Sequence, residues 1–106
     1  MKFKKINLTI TGCMGRMGQQ LIKTSKKNVK FNLYSLTEFH NINKKIAGIR
    51  PQRNSITAFK MTDVIIDFTI PKCTLEILKI ASLEKKRIVI GTTGFSQKEE
   101  LLIKKY

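Results

Sequence analysis

The chain has 106 residues, enough for one domain with one modest core. Its apolar content of 42% is ordinary for a globule, and no run of eighteen uninterrupted apolar residues exists, which excludes a membrane-spanning helix. Two distant cysteines and one histidine, with no CxxC pair, support neither a disulfide framework nor a metal site, and no metal ligands are assigned.

The first element is a strand over Ile6-Asn7-Leu8-Thr9-Ile10-Thr11, buried on both faces. The basic start, Met1-Lys2-Phe3-Lys4-Lys5, has the charge of a secretion signal. Asn7, Thr9, Thr11 and the glycines interrupt the apolar stretch that a signal requires, so the expectation is a cytoplasmic protein.

The strand breaks into Gly12-Cys13-Met14-Gly15-Arg16-Met17-Gly18. A glycine-spaced turn between a strand and a helix presents backbone N–H groups to a phosphate, and the helix adds the positive end of its dipole. In such a turn Gly12 allows the tight bend, Gly15 the approach of a pyrophosphate, and Gly18 the packing of helix on sheet. Glycines that merely close a tight turn would leave the same pattern; the flanking strand and helix favour the dinucleotide reading. Cys13 stands before a helix, where a thiol pKa is lowered, but no general base is near it and no redox role is assigned.

The helix carries Met14, Met17, Gly18, Leu21, Ile22 and Ser25 on one apolar or small face, and Asn28 with the neighbouring lysines closes it. A second strand, Phe31–Leu36, ends at Thr37-Glu38. Glu38 lies twenty residues past Gly18, where an acid accepts hydrogen bonds from the adenosine ribose. Taken alone it reads as an exposed loop acid; with the glycines the ribose contact is favoured. Residues 40–55 read as a surface loop leading to a short third strand near Ile56.

Val64–Phe68 is a strongly apolar strand, and Pro71 opens the helix after it, where its missing N–H has no cost. Leu75, Ile77, Leu78, Ile80, Ala81 and Leu83 give that helix a wide apolar face, and Cys73 reads as a small buried residue. Asp67 is placed to cap this helix or to hold loop N–H groups. Arg87–Ile90 reads as a further buried strand, stopping at Gly91-Thr92-Thr93-Gly94; the threonine hydroxyls and free backbone there, and at the strand end Asp67-Phe68-Thr69, suit a nicotinamide carboxamide. Ser96 with Glu99 forms a capping box for a last helix, with Leu101, Leu102 and Ile103 on its apolar side. Strands that are continuous apolar runs, alternating with helices, belong to an α/β fold: a Rossmann-type, doubly wound parallel sheet covered on both faces.

The net charge of +14 raises nucleic-acid binding as a competing reading. Against it, there are only four arginines, the lysines are scattered in pairs, and no base-stacking aromatic motif or zinc finger is present.

Three segments resemble, in order and spacing, the signatures of the 4-hydroxy-tetrahydrodipicolinate reductase family. They are Gly12–Gly18, Ile66-Asp67-Phe68-Thr69-Ile70-Pro71 and Val89-Ile90-Gly91-Thr92-Thr93-Gly94-Phe95. The resemblance runs through nearly the whole chain. It implies an oxidoreductase of the diaminopimelate route to lysine, transferring a hydride from NADH or NADPH to the cyclic product of dihydrodipicolinate synthase. It further implies that Gly12, Cys13, Met14, Gly15, Arg16, Met17, Glu38, Gly91, Thr92 and Thr93 face the dinucleotide, with Arg16 beside the phosphates.

The chain departs from the family in three ways. Phe39 stands where a basic residue commonly follows the ribose-binding acid, which predicts weaker selectivity for NADPH. Met14 stands where a small residue is usual. The chain also stops at Tyr106, before the hinge and second domain that carry the family's histidine pair and lysine. Residues 1–106 are therefore expected to be the N-terminal dinucleotide-binding domain, without the substrate and tetramerisation domain, inactive alone and with no catalytic residues. His40 is read as a solvated loop residue. A dinucleotide is the expected partner, a small-molecule substrate only if the missing domain is supplied, and self-association is left open. The alternative from another class is a non-catalytic dinucleotide-binding module or relic.

Overall fold

The computed structural model describes residues 4–106; the first three residues of the basic start lie outside it. The elements run β1 (Ile6–Thr11), α1 (Arg16–Lys26), β2 (Phe31–Glu38), β3 (Gln52–Arg53), α2 (Ile56–Phe59), β4 (Val64–Asp67), α3 (Pro71–Leu83), β5 (Arg87–Ile90) and α4 (Gln97–Lys104). All five strands are parallel, in the order β3-β2-β1-β4-β5. The chain winds outward from β1 to one edge, returns, and winds to the other. The order therefore reverses beside β1, and the crevice at the carboxyl ends of β1 and β4 is where such sheets take ligands.

Each face of the sheet has its own core. Leu8, Ile10 and Leu36 pack with Ile22 of α1 on one side, joined by Val64 and Ile66. Ile65 points to the other side, where it meets Ala58, Phe59, Cys73, Ile77 and Ala81 of α2 and α3. The period-two alternation within β4 sends successive isoleucines to opposite cores. That is why its sequence is apolar throughout rather than alternating.

Local signals place the helix ends. Pro71 occupies the first turn of α3. In the capping box Glu99 N–H donates to Ser96 Oγ at 3.1 Å, and Ser96 N–H donates to Glu99 Oε1 at 2.9 Å. Lys27, not Asn28, caps α1.

Four expectations are corrected. The third strand lies at Gln52–Arg53, pairing with Thr37 and Glu38, and Ile56–Phe59 is a short helix instead. Ser55 caps that helix, its hydroxyl accepting the Ala58 N–H at 3.0 Å. β5 is half-exposed rather than buried, with Val89 at 55%, because it is a sheet edge. α4 packs beside α3 and buries no residue, so Leu101 and Leu102 stay exposed. Met17 stands away from the core face of α1; the buried residues there are Gly18, Ile22 and Ser25. No helix among the described residues is long and apolar enough to cross a membrane.

Candidate functional site

The glycine turn is built by contacts that exclude any side chain at two of its positions. Gly12 has φ +63°, the left-handed region that favours glycine, and a β-carbon on it would lie 3.0 Å from the Phe68 carbonyl oxygen. A β-carbon on Gly18 would lie 2.9 Å from Cys13 Cα and would overlap the Gly12 carbonyl oxygen. Helix α1 therefore packs backbone to backbone on the turn, and its first residue, Arg16, starts at the mouth of the crevice.

Three consecutive N–H groups of the turn, those of Cys13, Met14 and Gly15, are already engaged. Cys13 N–H donates to Thr37 O at 3.2 Å, Gly15 N–H to Gly12 O at 3.0 Å, and Met14 N–H to Glu38 Oε2 at 3.0 Å. The N–H groups without a partner among the described residues belong to Arg16, Met17 and Gly18, in the first turn of α1. An anion at this turn would thus be received by the helix start rather than by the loop.

A cleft of about 370 Å³ opens over the turn. Gly12, Met14, Gly15 and Glu38 line it, so four of the ten residues singled out in the sequence meet there. Phe39, His40, Phe68, Thr69, Ile70, Asn54 and Cys73 complete the lining. Phe39 and His40 stack edge to face, ring centroids 4.6 Å apart, at the end of β2. His40 is exposed, as expected of a solvated loop residue, and it also lines this cleft.

Glu38 is buried, 6% exposed, not the open loop acid it resembles in isolation. Besides Met14, its carboxylate takes the Phe39 N–H on Oε1 at 3.2 Å. Cys13 is fully buried in the core under α1, so only its backbone faces the turn. The expected lowering of its thiol pKa is overturned: burial, then the nearby Glu38 charge, push it up to about 11, outweighing the hydrogen bond from its own backbone. Arg16 and Met17 are exposed at the start of α1, outside the cleft lining.

A second cluster fixes the opposite wall. Asp67, 0% exposed at the end of β4, accepts the hydroxyls of Thr11 and Thr69 on Oδ1, both at 2.7 Å. The Thr74 hydroxyl donates to Oδ2, with the Thr92 hydroxyl 3.3 Å from the same oxygen. Asp67 therefore neither caps α3, whose N-cap Ile70 has no side-chain bond, nor holds loop N–H groups. It ties together the ends of β1, β4 and α3 and the loop after β5. Thr92 Oγ1 in turn accepts the Thr69 N–H at 2.8 Å, and Gly91 N–H donates to Asp67 O at 2.7 Å. A β-carbon on Gly91 would overlap the Phe68 ring, so this glycine is the space that lets Phe68 line the cleft. Gly91, Thr92 and Thr93 themselves are not among the cleft-lining residues; Thr92 is buried and Thr93 exposed.

Sequence reasoning missed Phe68, Ile70, Asn54 and Cys73 as cleft residues. For Phe68 a signal existed, an aromatic residue directly after a buried strand that faces a glycine at the end of the next strand. Asn54 carried none.

The family model described as dihydrodipicolinate reductase, N-terminus, matches residues 6–106. The 4-hydroxy-tetrahydrodipicolinate reductase of Pelagibacter ubique (strain HTCC1062) is 69% identical over 103 residues, covering 97% of this chain and 40% of that protein. The enzyme of the same name from Buchnera aphidicola subsp. Schizaphis graminum is 42% identical over 120 residues, covering 100% of this chain and 43% of that protein. Among solved structures, a dipicolinate-bound dihydrodipicolinate reductase from Paenisporosarcina sp. TG-14 has the same fold. Its TM-score is 0.75 at 24% identity, over 94% of this chain and 42% of that one. The chain spans about 40% of the length of the curated relatives it matches. A glycine turn feeding a helix at the reversal point of a parallel sheet, together with the match over residues 6–106, makes the chain a member of the dihydrodipicolinate reductase N-terminal family.

Proposed function

We propose that this chain is the N-terminal dinucleotide-binding domain of a 4-hydroxy-tetrahydrodipicolinate reductase of the lysine pathway, and that it holds NADH or NADPH in the cleft over the glycine turn. The observation that carries the reading is the row of N–H groups on Arg16, Met17 and Gly18, without a partner among the described residues, in the first turn of the helix that follows the cleft-lining Gly15. Such a row, aligned with a helix dipole, fits a pyrophosphate. The Arg16 guanidinium, exposed at the same helix start, adds charge beside it.

Glu38 retains lone pairs beyond those used by Met14 and Phe39, and these are the acceptors for ribose hydroxyls. Phe39, 61% exposed on the rim, is the platform for the adenine. Gly91 and Thr92 are tied to Asp67 at the carboxyl end of the sheet, and with Thr93 they are the residues assigned to the nicotinamide end of the coenzyme. The coenzyme, when bound, supplies the hydride. This chain's residues bind and orient it. The groups that hold and protonate the substrate belong to the rest of the enzyme, and the described residues turn over no substrate by themselves. The reading also places the protein in the cytoplasm, with NAD(P)H as its partner.

Phe39 offers no cation for a 2′-phosphate, and Glu38 repels one. Fluorescence titration with both coenzymes tests this: NADH binds more tightly than NADPH, and Phe39→Ala weakens NADH by about tenfold through loss of stacking. Tighter binding of NADPH would contradict the role given to Phe39 and Glu38.

A further inference from the structure

A second cleft, of about 480 Å³, opens at the other end of the sheet, at the amino ends of β1, β4 and β5. Five cationic side chains line it: Lys4, Lys5, Lys85, Lys86 and Arg87. They come from two segments far apart in sequence, the approach to β1 and the turn into β5. The one carboxylate of the lining, Asp63, is turned to the Asn7 N–H at 2.7 Å, tying β1 to the turn before β4. Lys86 Nζ donates to the Lys60 carbonyl at 2.9 Å, which holds its ammonium in place.

The backbone at Lys85 is a second, independent pointer. Helix α3 ends with Lys85 N–H on Ser82 O at 3.2 Å and Lys86 N–H on Ala81 O at 2.8 Å. That pair of bonds puts a left-handed residue between them, the place usually taken by glycine. Here it is Lys85, at φ +52°. The two helix-end bonds hold this conformation, and in it the Lys85 side chain lines the cleft.

Converging like charges in a concave site repel one another and focus a positive potential outward. An anion dense in charge relieves that repulsion. Lysine ammoniums are compact point charges on flexible stems, suited to clustered phosphate oxygens rather than to flat, two-pronged carboxylate pairing. Among the described residues, the lining carries no aromatic ring on which a nucleobase could stack. We propose that this cleft is a second anion site, separate from the dinucleotide cleft, and that it takes a condensed oligophosphate, free or as the tail of a nucleotide.

Calorimetry on the full chain with inorganic tripolyphosphate tests it, with ATP as a second titrant. The triple variant Lys85→Gly/Lys86→Gln/Arg87→Gln should weaken tripolyphosphate by about tenfold or more, since it removes three of the cations whose attraction holds the anion. The matched variant Lys98→Gln/Lys104→Gln/Lys105→Gln, on α4 and its C-cap, removes the same charge elsewhere and should change affinity less than about twofold. Equal weakening by both variants reduces the effect to net charge and overturns the proposal, as does no weakening by either. Lys85→Gly relieves the backbone, so it decides the matter if the triple variant fails to fold: it should melt higher than the parent and bind several-fold more weakly. ATP bound as tightly as tripolyphosphate, and lost with it in the triple variant, identifies the ligand as a nucleotide tail. ATP that ignores the substitutions leaves free oligophosphate. A single-stranded oligonucleotide that binds more tightly than tripolyphosphate and is lost in the same triple variant makes the face a nucleic-acid surface, contrary to the proposal.

Discussion

The carboxylate of Glu38 accepts the backbone N–H of Met14 at 3.0 Å, across 24 residues of sequence. The acid at the end of β2 thus holds the glycine turn in shape before it meets any ligand. Two roles on one side chain separate by substitution. Glu38→Ala strands a partly buried N–H and should cost about 1–3 kcal/mol of stability. Glu38→Gln keeps one acceptor oxygen for the Met14 N–H but turns its NH2 toward the Phe39 N–H, so it should lose less stability than Glu38→Ala, yet lose about tenfold or more in NADH affinity, because bonds to a charged acceptor are the stronger ones. Thermal melts beside NADH titrations check both halves. Parent-like NADH binding by Glu38→Gln would confine the residue to supporting the turn.

The glycines of the chain are unequal, and alanine substitution should rank them. At Gly18 a methyl meets backbone on the other side, which has nowhere to go. Gly18→Ala should cost about 1–3 kcal/mol or more. At Gly48 a methyl meets nothing within 4 Å, and only φ +80° resists it. Gly48→Ala should cost about 1–2 kcal/mol. Urea unfolding of both variants measures the difference; a larger loss at Gly48 would refute the packing of α1 on the turn.

Asp67 is a buried carboxylate surrounded by hydroxyls rather than by a cation: Thr11 and Thr69 on one oxygen, Thr74 on the other. Removing the carboxylate leaves several donors without an acceptor at once. Asp67→Ala should therefore cost more than about 3 kcal/mol, while Thr74→Val, which removes one donor, costs about 1 kcal/mol. Denaturant unfolding gives both values. A mild Asp67→Ala phenotype would mean that the cluster does not hold the strand ends together.

Burial and Glu38 raise the Cys13 thiol to about 11, from 9.0 when the residue is free of the fold. Below pH 9 the thiol is neutral in both states and stability does not depend on it. Between pH 9 and 11 the unfolded chain gives up this proton first, so stability falls as pH rises through that window. Cys73, raised mainly by burial, adds in the same direction. The stability advantage of the parent over Cys13→Ala, measured by urea unfolding at pH 7, 9 and 10.5, should narrow above pH 9. Rapid alkylation of Cys13 in the folded chain at pH 8 would contradict its placement.

What the sequence made legible was local. Gly12, Gly15 and Gly18, Pro71, and the Ser96–Glu99 box each act within one turn of backbone, and each signal is complete within a few residues. The wall of the cleft was less so. Phe68 enters it because Gly91, at the end of another strand, leaves room. The direction of the Cys13 shift is set first by its burial under α1, with Glu38 arriving over the turn to add to it. β3 is two residues long and exists through pairing with Thr37 and Glu38, so residues 40–55 show no period to read. β5 has the same apolar run as β4, and only its place at the edge exposes Val89. In each case the deciding neighbour is remote in the chain.

Isothermal calorimetry of NADH against the parent chain and Gly15→Asp tests the central claim most directly. A β-carbon at Gly15 meets only the Gly12 carbonyl oxygen, at 3.3 Å, so a side chain there has room to fold but sets a negative charge over the unpaired N–H groups of α1. The account predicts one-site binding by the parent and no measurable heat from a folded Gly15→Asp chain. Binding of the two chains with equal affinity, or no binding by the folded parent, would contradict it.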